Sequence, residues 1–444
     1  MKLSSIRFIV LLIIAASNLC VAQEKINLGK AITIALNRNT SVIKSNNSLE
    51  TSNAAVKNAY GNFLPSFNVN GGWSWQRITN QQGTTQLDYL GNPQNISTPT
   101  TDSRNYSVSA GGNFTLFDGL SSIAALNQSK NSVQTAKMDL EKLKQDVILQ
   151  TVNLYVNIIN FEKVKKFQEE DYKYNLDLLS RIKEKYTLKM ITNVDMYSQE
   201  YQTANTRLSV IQSENNLEKA KINLLTYLSK DVSKEYDFDL DSVDVPVNNG
   251  STGDLDALYQ TAFTYRNDYQ SQKLKLVNSE YQLTISKSGL YPNLSGNYGF
   301  STSAVQLKDM FSRKVYNVGL SLNIPIFSHF NTEYSIESSQ IQIKNSQEDL
   351  TAMERQVKSD VKSSVLDLQS AKLQLEVTTT AVKAAKETWD IKKEKFLLGL
   401  TTYIDQQQSY RDYVQATNNQ ISAECNYFYK QYALLNALGM LKAN

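Results

Sequence analysis

The sequence predicts a mainly α-helical, internally duplicated chain that lends four strands to a transmembrane β-barrel, and three observations predict it. The first is a repeat: Ser121–Met190 and Phe330–Leu400 carry nearly one design at an offset of 210 residues. Leu140, Leu143, Val147, Thr151, Leu154, Ile158 and Phe161 correspond to Leu350, Met353, Val357, Val361, Ser364, Leu368 and Ala371. Spacings of three and four place these residues in a narrow apolar stripe up one side of a helix. The second observation is what interrupts neither stretch: there is no Gly or Pro until Gly399, where ordinary usage would put roughly eight. Some ~70 uninterrupted residues at 1.5 Å rise give ~105 Å of helix, far beyond a globular helix. The third is a set of four segments whose hydrophobic period is two.

At the N-terminus, Lys2 and Arg7 precede an apolar run from Phe8 to Ala16, and Ala22 before Gln23 suits a small-residue cleavage site. This reads as a secretory signal peptide over 1–22. Leu19 before Cys20 argues against lipidation. Without the signal, Cys425 is the single cysteine, so packing and not disulfides must hold the exported chain. No later run of 18 apolar residues suggests a spanning helix.

Beyond the signal, Leu28, Ala31, Ile32, Ala35 and Leu36 recur at helical spacing, and a further helical stretch runs to about Asn62. "FLP" at 63–65 ends it, because proline disfavours helix at the residue before it. Over 66–77, Phe67, Val69, Gly71, Trp73 and Trp75 alternate with Ser66, Asn68, Asn70, Gly72, Ser74 and Gln76. After a polar stretch (78–104), Tyr106, Val108, Ala110, Gly112, Phe114 and Leu116 alternate with Asn105, Ser107, Ser109 and Asn113. Together they predict a hairpin with a long loop. The second copy repeats the grammar. Helix from about Leu255 ends at "LYP" (290–292), Leu294, Gly296, Tyr298 and Phe300 alternate with small polar residues, and Tyr316, Val318, Leu320, Leu322, Ile324 and Ile326 do the same. The expected organisation is a first repeat over 23–228 (hairpin about 66–117, long helix about 120–189, tip about 188–195). A linker with one extended segment follows over 229–253, then a second repeat over 254–444 (hairpin about 293–327, long helix about 329–398, tip about 398–405). The unit is helix–strand–strand–long helix–helix.

A soluble sandwich would also alternate. Here, however, the polar face is Ser, Asn and Gly without the Lys and Glu of a solvated sheet, and each strand has the length of a tilted outer-membrane strand. Phe67, Val69, Trp73, Trp75, Val108, Phe114, Leu294, Tyr298, Val318, Leu320 and Leu322 are the expected lipid-facing residues. Four strands cannot close a barrel, and an open edge in lipid is prohibitive. Several chains must contribute, and three chains give twelve strands.

Chemistry-bearing residues are sparse. His329 is the only histidine, no Cys/His spacing suits a metal, and nucleotide and hydrolase fingerprints are missing. No enzyme, cofactor or metal site is expected. A formal charge of +3 argues against a nucleic-acid partner.

Two further motifs sit where the long helices reverse: "YTLKMITNVDMYSQ" (186–199) and "FLLGLTTYIDQQQS" (396–409). Thr192 meets Thr402 and Asp195 meets Asp405 at the same offset. Thr followed by an acid three residues on is a capping box, and as local chemistry a plain helix start accounts for all four. The second motif, with Gly399, Leu400, Thr402, Tyr403 and Asp405, resembles the periplasmic-tip signature of the TolC family of outer-membrane efflux channels. In the first, Lys189 stands in place of the glycine. Duplication, proline-marked strand entries, helix lengths and both tips extend the resemblance over essentially the whole mature chain.

The resemblance implies a homotrimer in the outer membrane of a Gram-negative bacterium, with a twelve-stranded barrel continued by a periplasmic α-barrel. It also implies a periplasmic adaptor (membrane fusion protein) and an inner-membrane transporter of RND, ABC or MFS type, serving drug efflux or type I protein secretion. It places adaptor docking at Lys189, Met190, Thr192, Gly399, Leu400 and Thr402. In the family's best-known members a Tyr and an Arg of the second tip hold an acid of the first. The matching positions are Phe396 and Thr401, set against Asp195, with Lys189 a local counter-charge. Two rings of acids line the entrance in those members, where this chain has Asp405 and Gln408. The alternatives are an exported trimeric coiled-coil surface or adhesion protein, which leaves the hairpins unexplained, and a secreted enzyme on a helical scaffold.

Overall fold

The computed structural model describes residues 25–79, 84–96, 100–234, 236–239 and 254–442. The signal peptide expected over 1–22 and the 240–253 part of the linker lie outside them. In order, the described elements are β1 (Lys25–Ile26), α1 (Leu28–Arg38), α2 (Thr40–Gly61), β2 (Asn68–Ile78), β3 (Thr84–Leu87), β4 (Pro93–Ile96) and β5 (Thr101–Phe117). Then come α3 (Ser121–Thr187), α4 (Asn193–Tyr227), β6 (Asp237–Phe238), α5 (Leu255–Tyr265), α6 (Asn267–Ser288), β7 (Asn293–Ala304), β8 (Val315–Asn323), α7 (Asn331–Leu397) and α8 (Tyr403–Ala437). The helices recur by length: 11 residues in α1 and α5, 22 in α2 and α6, 67 in α3 and α7, and 35 in α4 and α8. Each strand pair is thus preceded by two helices, where the repeat pattern predicts one. The first break falls at Asn39, whose N–H caps Ala35 and whose side chain accepts from Ser41 N at 2.9 Å. The second falls at Arg266, a buried guanidinium paired with Asp268 (2.7 Å) and Asp360 (2.8 Å).

The chain divides into two compact units. One, Leu49–Thr135 with Gln272–Leu350, carries an antiparallel sheet in the order β2-β5-β7-β8. Val69 stands opposite Ala110, Trp73 opposite Tyr106, Trp75 opposite Arg104, Tyr298 opposite Val318 and Leu294 opposite Leu322. Directly opposed residues share a face, so the register gathers the alternating apolar residues on one side. Asn68, Ser109, Asn297 and Ser321 take the other. Two glycines let rings lie flat on the apolar face. A Cβ at Gly296 would sit 2.4 Å from the Phe114 ring. At Gly112 it would meet the Ser66 carbonyl, to which the Tyr298 hydroxyl donates at 2.8 Å. A bulge between Thr115 and Phe117 bends β5 as it approaches α3. β8 ends at Asn323, so Ile324 and Ile326, expected to continue it, lie beyond it. Pro325 offers no N–H to a ladder. The stretch 78–104 is not a plain loop, since β3 and β4 form a second small hairpin. Asp88 closes its turn by accepting from Leu90 N (2.9 Å) and Asn92 N (3.0 Å).

The other unit takes in Ala136–Ser271 and Thr351 onward with the N-terminal residues. Its α3 is wider in burial than a narrow stripe. Ile148, Val152, Tyr155, Val156 and Ile159 are buried beside Val147, Thr151 and Ile158. The parallel β1–β6 ribbon supplies the extra wall: Ile26 pairs with Phe238, and the Tyr155 hydroxyl reaches Asp239 O at 2.5 Å. In α7 burial stays close to Leu350, Val357, Val361, Val365 and Ala371.

Candidate functional site at the helical turns

Both turns are built from the same backbone devices. After α3, Lys189 N donates to Tyr186 O and Met190 N to Lys185 O, each at 2.9 Å; after α7, Gly399 N donates to Phe396 O (3.2 Å) and Leu400 N to Lys395 O (2.8 Å). This six-to-one pattern needs a left-handed residue between its two bonds. Gly399 supplies it at φ +74° and Lys189 at φ +59°, the latter at a cost of about 1–2 kcal/mol for its Cβ. Thr192 and Thr402 then cap the next helices, their hydroxyls accepting from Asp195 N (3.3 Å) and Asp405 N (3.1 Å). Asp195 closes its box by accepting from Thr192 N at 3.3 Å. Asp405 accepts from the hydroxyls of Thr402 (2.7 Å) and Thr401 (3.3 Å). The bond from Thr402, foremost among the causes, holds Asp405 below the ordinary carboxylate pKa and keeps it ionised.

Three apolar side chains per turn project into open space. Leu188, Met190 and Val194 are 70%, 67% and 68% exposed, and their counterparts Leu398, Leu400 and Ile404 are 74%, 71% and 68% exposed. Only Met190 and Leu400 were expected to act here. The constant offset marks the other four, but only the fold shows that they lack cover.

Of the expected gate residues, Thr401 meets Asp405, but Asp195 is occupied by Thr192 and is not hydrogen-bonded to the second turn among the described residues. Phe396 lies beneath the turn, buried with Leu178, Ile182 and Tyr403, and Lys185 Nζ stands 4.9 Å above its ring. Gln408 donates to Asp412 (2.9 Å) and accepts from Arg411 (3.1 Å).

Behind the turns lies a polar zipper that motif reading missed. The fully buried Gln199 of α4 accepts from Tyr403 OH and Gln407 Nε2 of α8, both at 2.8 Å, and donates to Asn175 Oδ1 of α3 at 3.0 Å. Asn175 donates to Asp171 Oδ1 (2.7 Å), which also accepts from Tyr410 OH (2.6 Å). Gln406 donates to Tyr174 OH at 2.8 Å. Three helices are thus joined by bonds that have no replacement from water, which makes each costly to break. The usable signal was polar residues at stripe positions: Asp171, Asn175, Leu178 and Ile182 follow at helical spacing.

Burial raises the Asp171 carboxyl above its ordinary range, against the opposing bonds from Tyr410 and Asn175. A group whose folded pKa is raised binds its proton more tightly in the native state. Stability is therefore gained as pH falls from neutrality through that raised value, levelling off below the unfolded carboxylate pKa of about 3.9. Amide exchange across 403–410, corrected for intrinsic rates, should slow as the pH is lowered from neutrality in the wild type and stay level in Asp171→Asn. Equal pH dependence in both would remove Asp171 as the responsible group.

Among the described residues no group of three or more His, Cys, Asp or Glu could hold a metal ion, and no helix is long and apolar enough to cross a membrane. A model of the family described as outer membrane efflux protein matches residues 31–230 and 258–440. The outer membrane efflux protein BepC of Brucella suis is 25% identical over 169 residues, which is 37% of this chain and 36% of that protein. The outer membrane protein TolC of Vibrio cholerae is 20% identical over 341 residues, 75% of this chain and 77% of TolC. In three dimensions, the outer membrane channel CmeC of Campylobacter jejuni superposes with a TM-score of 0.77 at 17% identity, covering 93% of this chain and 85% of CmeC.

Proposed function

This chain belongs to the outer membrane efflux protein family, and from that premise we propose that three copies form a passive exit duct fed by an inner-membrane transporter through a periplasmic adaptor. The chain is an outer-membrane export channel with a β-barrel and an α-barrel, and channels of this family are trimeric and work with such partners. The observation that carries the assembly is the sheet β2-β5-β7-β8, which leaves β2 and β8 as edges. An edge exposed to lipid leaves a row of backbone groups unbonded, each costing several kcal/mol. Pairing β8 of one copy with β2 of the next removes every edge when the ring closes, and three sheets make twelve strands. The apolar face then meets lipid, with Phe67 through Leu322 of the expected set on it, and the Asn–Ser face lines the lumen. Outer-membrane fractions should yield trimers that persist in detergent at room temperature and dissociate on heating. Monomers alone would contradict the assembly.

The reading assigns the six exposed apolar side chains of the two turns to the adaptor, with Lys189, Thr192, Gly399 and Thr402 shaping the backbone around them. It assigns closure of the entrance to helix packing, in which Phe396 is sealed under Lys185, and not to a charged fork on Asp195. Asp405 contributes one anionic ring per trimer and Gln408 a neutral one. Three like charges in a narrow mouth favour cations. In planar bilayers, Asp405→Ala should lower cation preference about two- to threefold by removing that local field. Thr401→Arg should lower open probability by offering Asp195 a charged partner. Unchanged selectivity and opening in both variants would detach the gate from these residues. A transporter of RND, ABC or MFS type fits this duct equally, for small molecules or for secreted proteins.

A further inference from the structure

The end of the apolar sheet face farthest from Phe117 carries a charged row. Opposite Trp75 stands Arg104, and opposite Arg77 stands Asp102, all on the face that bears Trp73 and Tyr106. Arg77 and Asp102 neutralise each other through bonds of 2.6 and 2.8 Å, and the Arg77 guanidinium lies 5.6 Å from the Trp75 ring. Arg104 is exposed and its charge also reaches Asp102, while among the described residues no hydrogen bond or close ion pair engages it. Each chain therefore presents one surplus positive charge framed by aromatic rings.

Depth decides what that charge meets. From Arg104 to Phe114 the strand advances roughly 26 Å along the barrel normal, given a rise of ~3.4 Å and a tilt of ~40°. That is a whole apolar band, which is ~25 Å tall. A cation inside the band costs about 2–4 kcal/mol, and one at its rim almost nothing. Arg104 therefore stands at headgroup depth. It does so at the end away from Phe117, where β5 leads into α3, hence at the cell-exterior side. Pairing of β2 and β8 with neighbouring copies would occupy edges and leave this face open.

We propose that Arg104, with Trp75 and the Arg77–Asp102 pair as its frame, binds a phosphate group of an outer-leaflet glycolipid, three sites per trimer. The proposal rests on the lipid-facing reading of the sheet. A guanidinium offers a planar fork of donors to phosphate, and indole rings settle at the interface where such phosphates lie.

The test uses detergent-purified trimers reconstituted in phosphatidylcholine vesicles with diphosphorylated lipid A or with the same lipid chemically dephosphorylated. Native mass spectrometry should show the diphosphorylated lipid retained by the wild type. Retention should fall about fivefold in Arg104→Gln, the scale of one basic residue at a lipid surface, and largely return in Arg104→Lys. Equal retention by Arg104→Gln, or equal retention of the dephosphorylated lipid, overturns the site. In parallel, brominated phosphatidylcholine should quench Trp73 and Trp75 fluorescence in a Trp389→Phe background. Missing quenching would sink the lipid-facing reading itself, whereas quenching with unchanged retention in Arg104→Gln would sink only the phosphate site.

Discussion

Leu320→Arg should abolish trimers in the outer membrane. Leu320 is 71% exposed on the apolar sheet face, opposite Gly296 and two residues from Val318, itself 88% exposed. These positions lie within β8 (Val315–Asn323), on the face read as meeting lipid, where a guanidinium costs up to about 2–4 kcal/mol per chain at the midplane and less toward a rim. Threefold repetition multiplies that penalty for one barrel. Gly296 opposite offers no side chain to shield or pair the charge. The adjacent Ser321→Arg points to the other face and should still give heat-dissociable trimers with altered conductance. If Leu320→Arg assembles normally while Ser321→Arg does not, the two faces have been assigned in reverse.

That prediction could be framed from the sequence because period-two alternation survives in any sheet, whatever its neighbours. The long helices were legible for a related reason, since a stripe spaced by three and four residues cannot serve a strand. What stayed hidden depended on distant partners. Tyr155 is buried because β1 and β6, only two residues each, pair across 25–26 and 237–238, and no local pattern announces a ribbon so short. Gln199, Gln407 and Tyr403 look like ordinary polar residues of helix starts until α3 brings Asn175 against them. Lys189 is the clearest case at the site itself. A lysine signals neither a left-handed conformation nor a helix stop, yet it occupies the same backbone state as Gly399 because the flanking hydrogen bonds demand it. Loss of the glycine therefore changes the surface of the first turn without changing its path.

That equivalence sharpens the second large effect: Gly399→Trp should leave trimers in the membrane and abolish export. A Cβ at Gly399 meets nothing within 4 Å, so within one protomer the indole has room. The backbone at φ +74° does strain any L side chain, by about 1–2 kcal/mol. Lys189 shows that a turn of this design tolerates such strain. What the indole adds is bulk over Leu398, Leu400 and Ile404, the apolar side chains proposed to meet the adaptor, and close approach of another helix is lost. Gly399→Lys separates the two effects, for it copies the strain of the first turn with a flexible side chain that can swing aside. Export measured as accumulation of a fluorescent efflux substrate, with trimers quantified on unheated gels, should read near zero for Gly399→Trp and retain at least about half of wild-type activity for Gly399→Lys, since ~1–2 kcal/mol of local strain is small beside the stability of the assembled chain. Equal loss in both variants would assign the defect to backbone strain, and undiminished export by Gly399→Trp would remove the second turn from the docking surface.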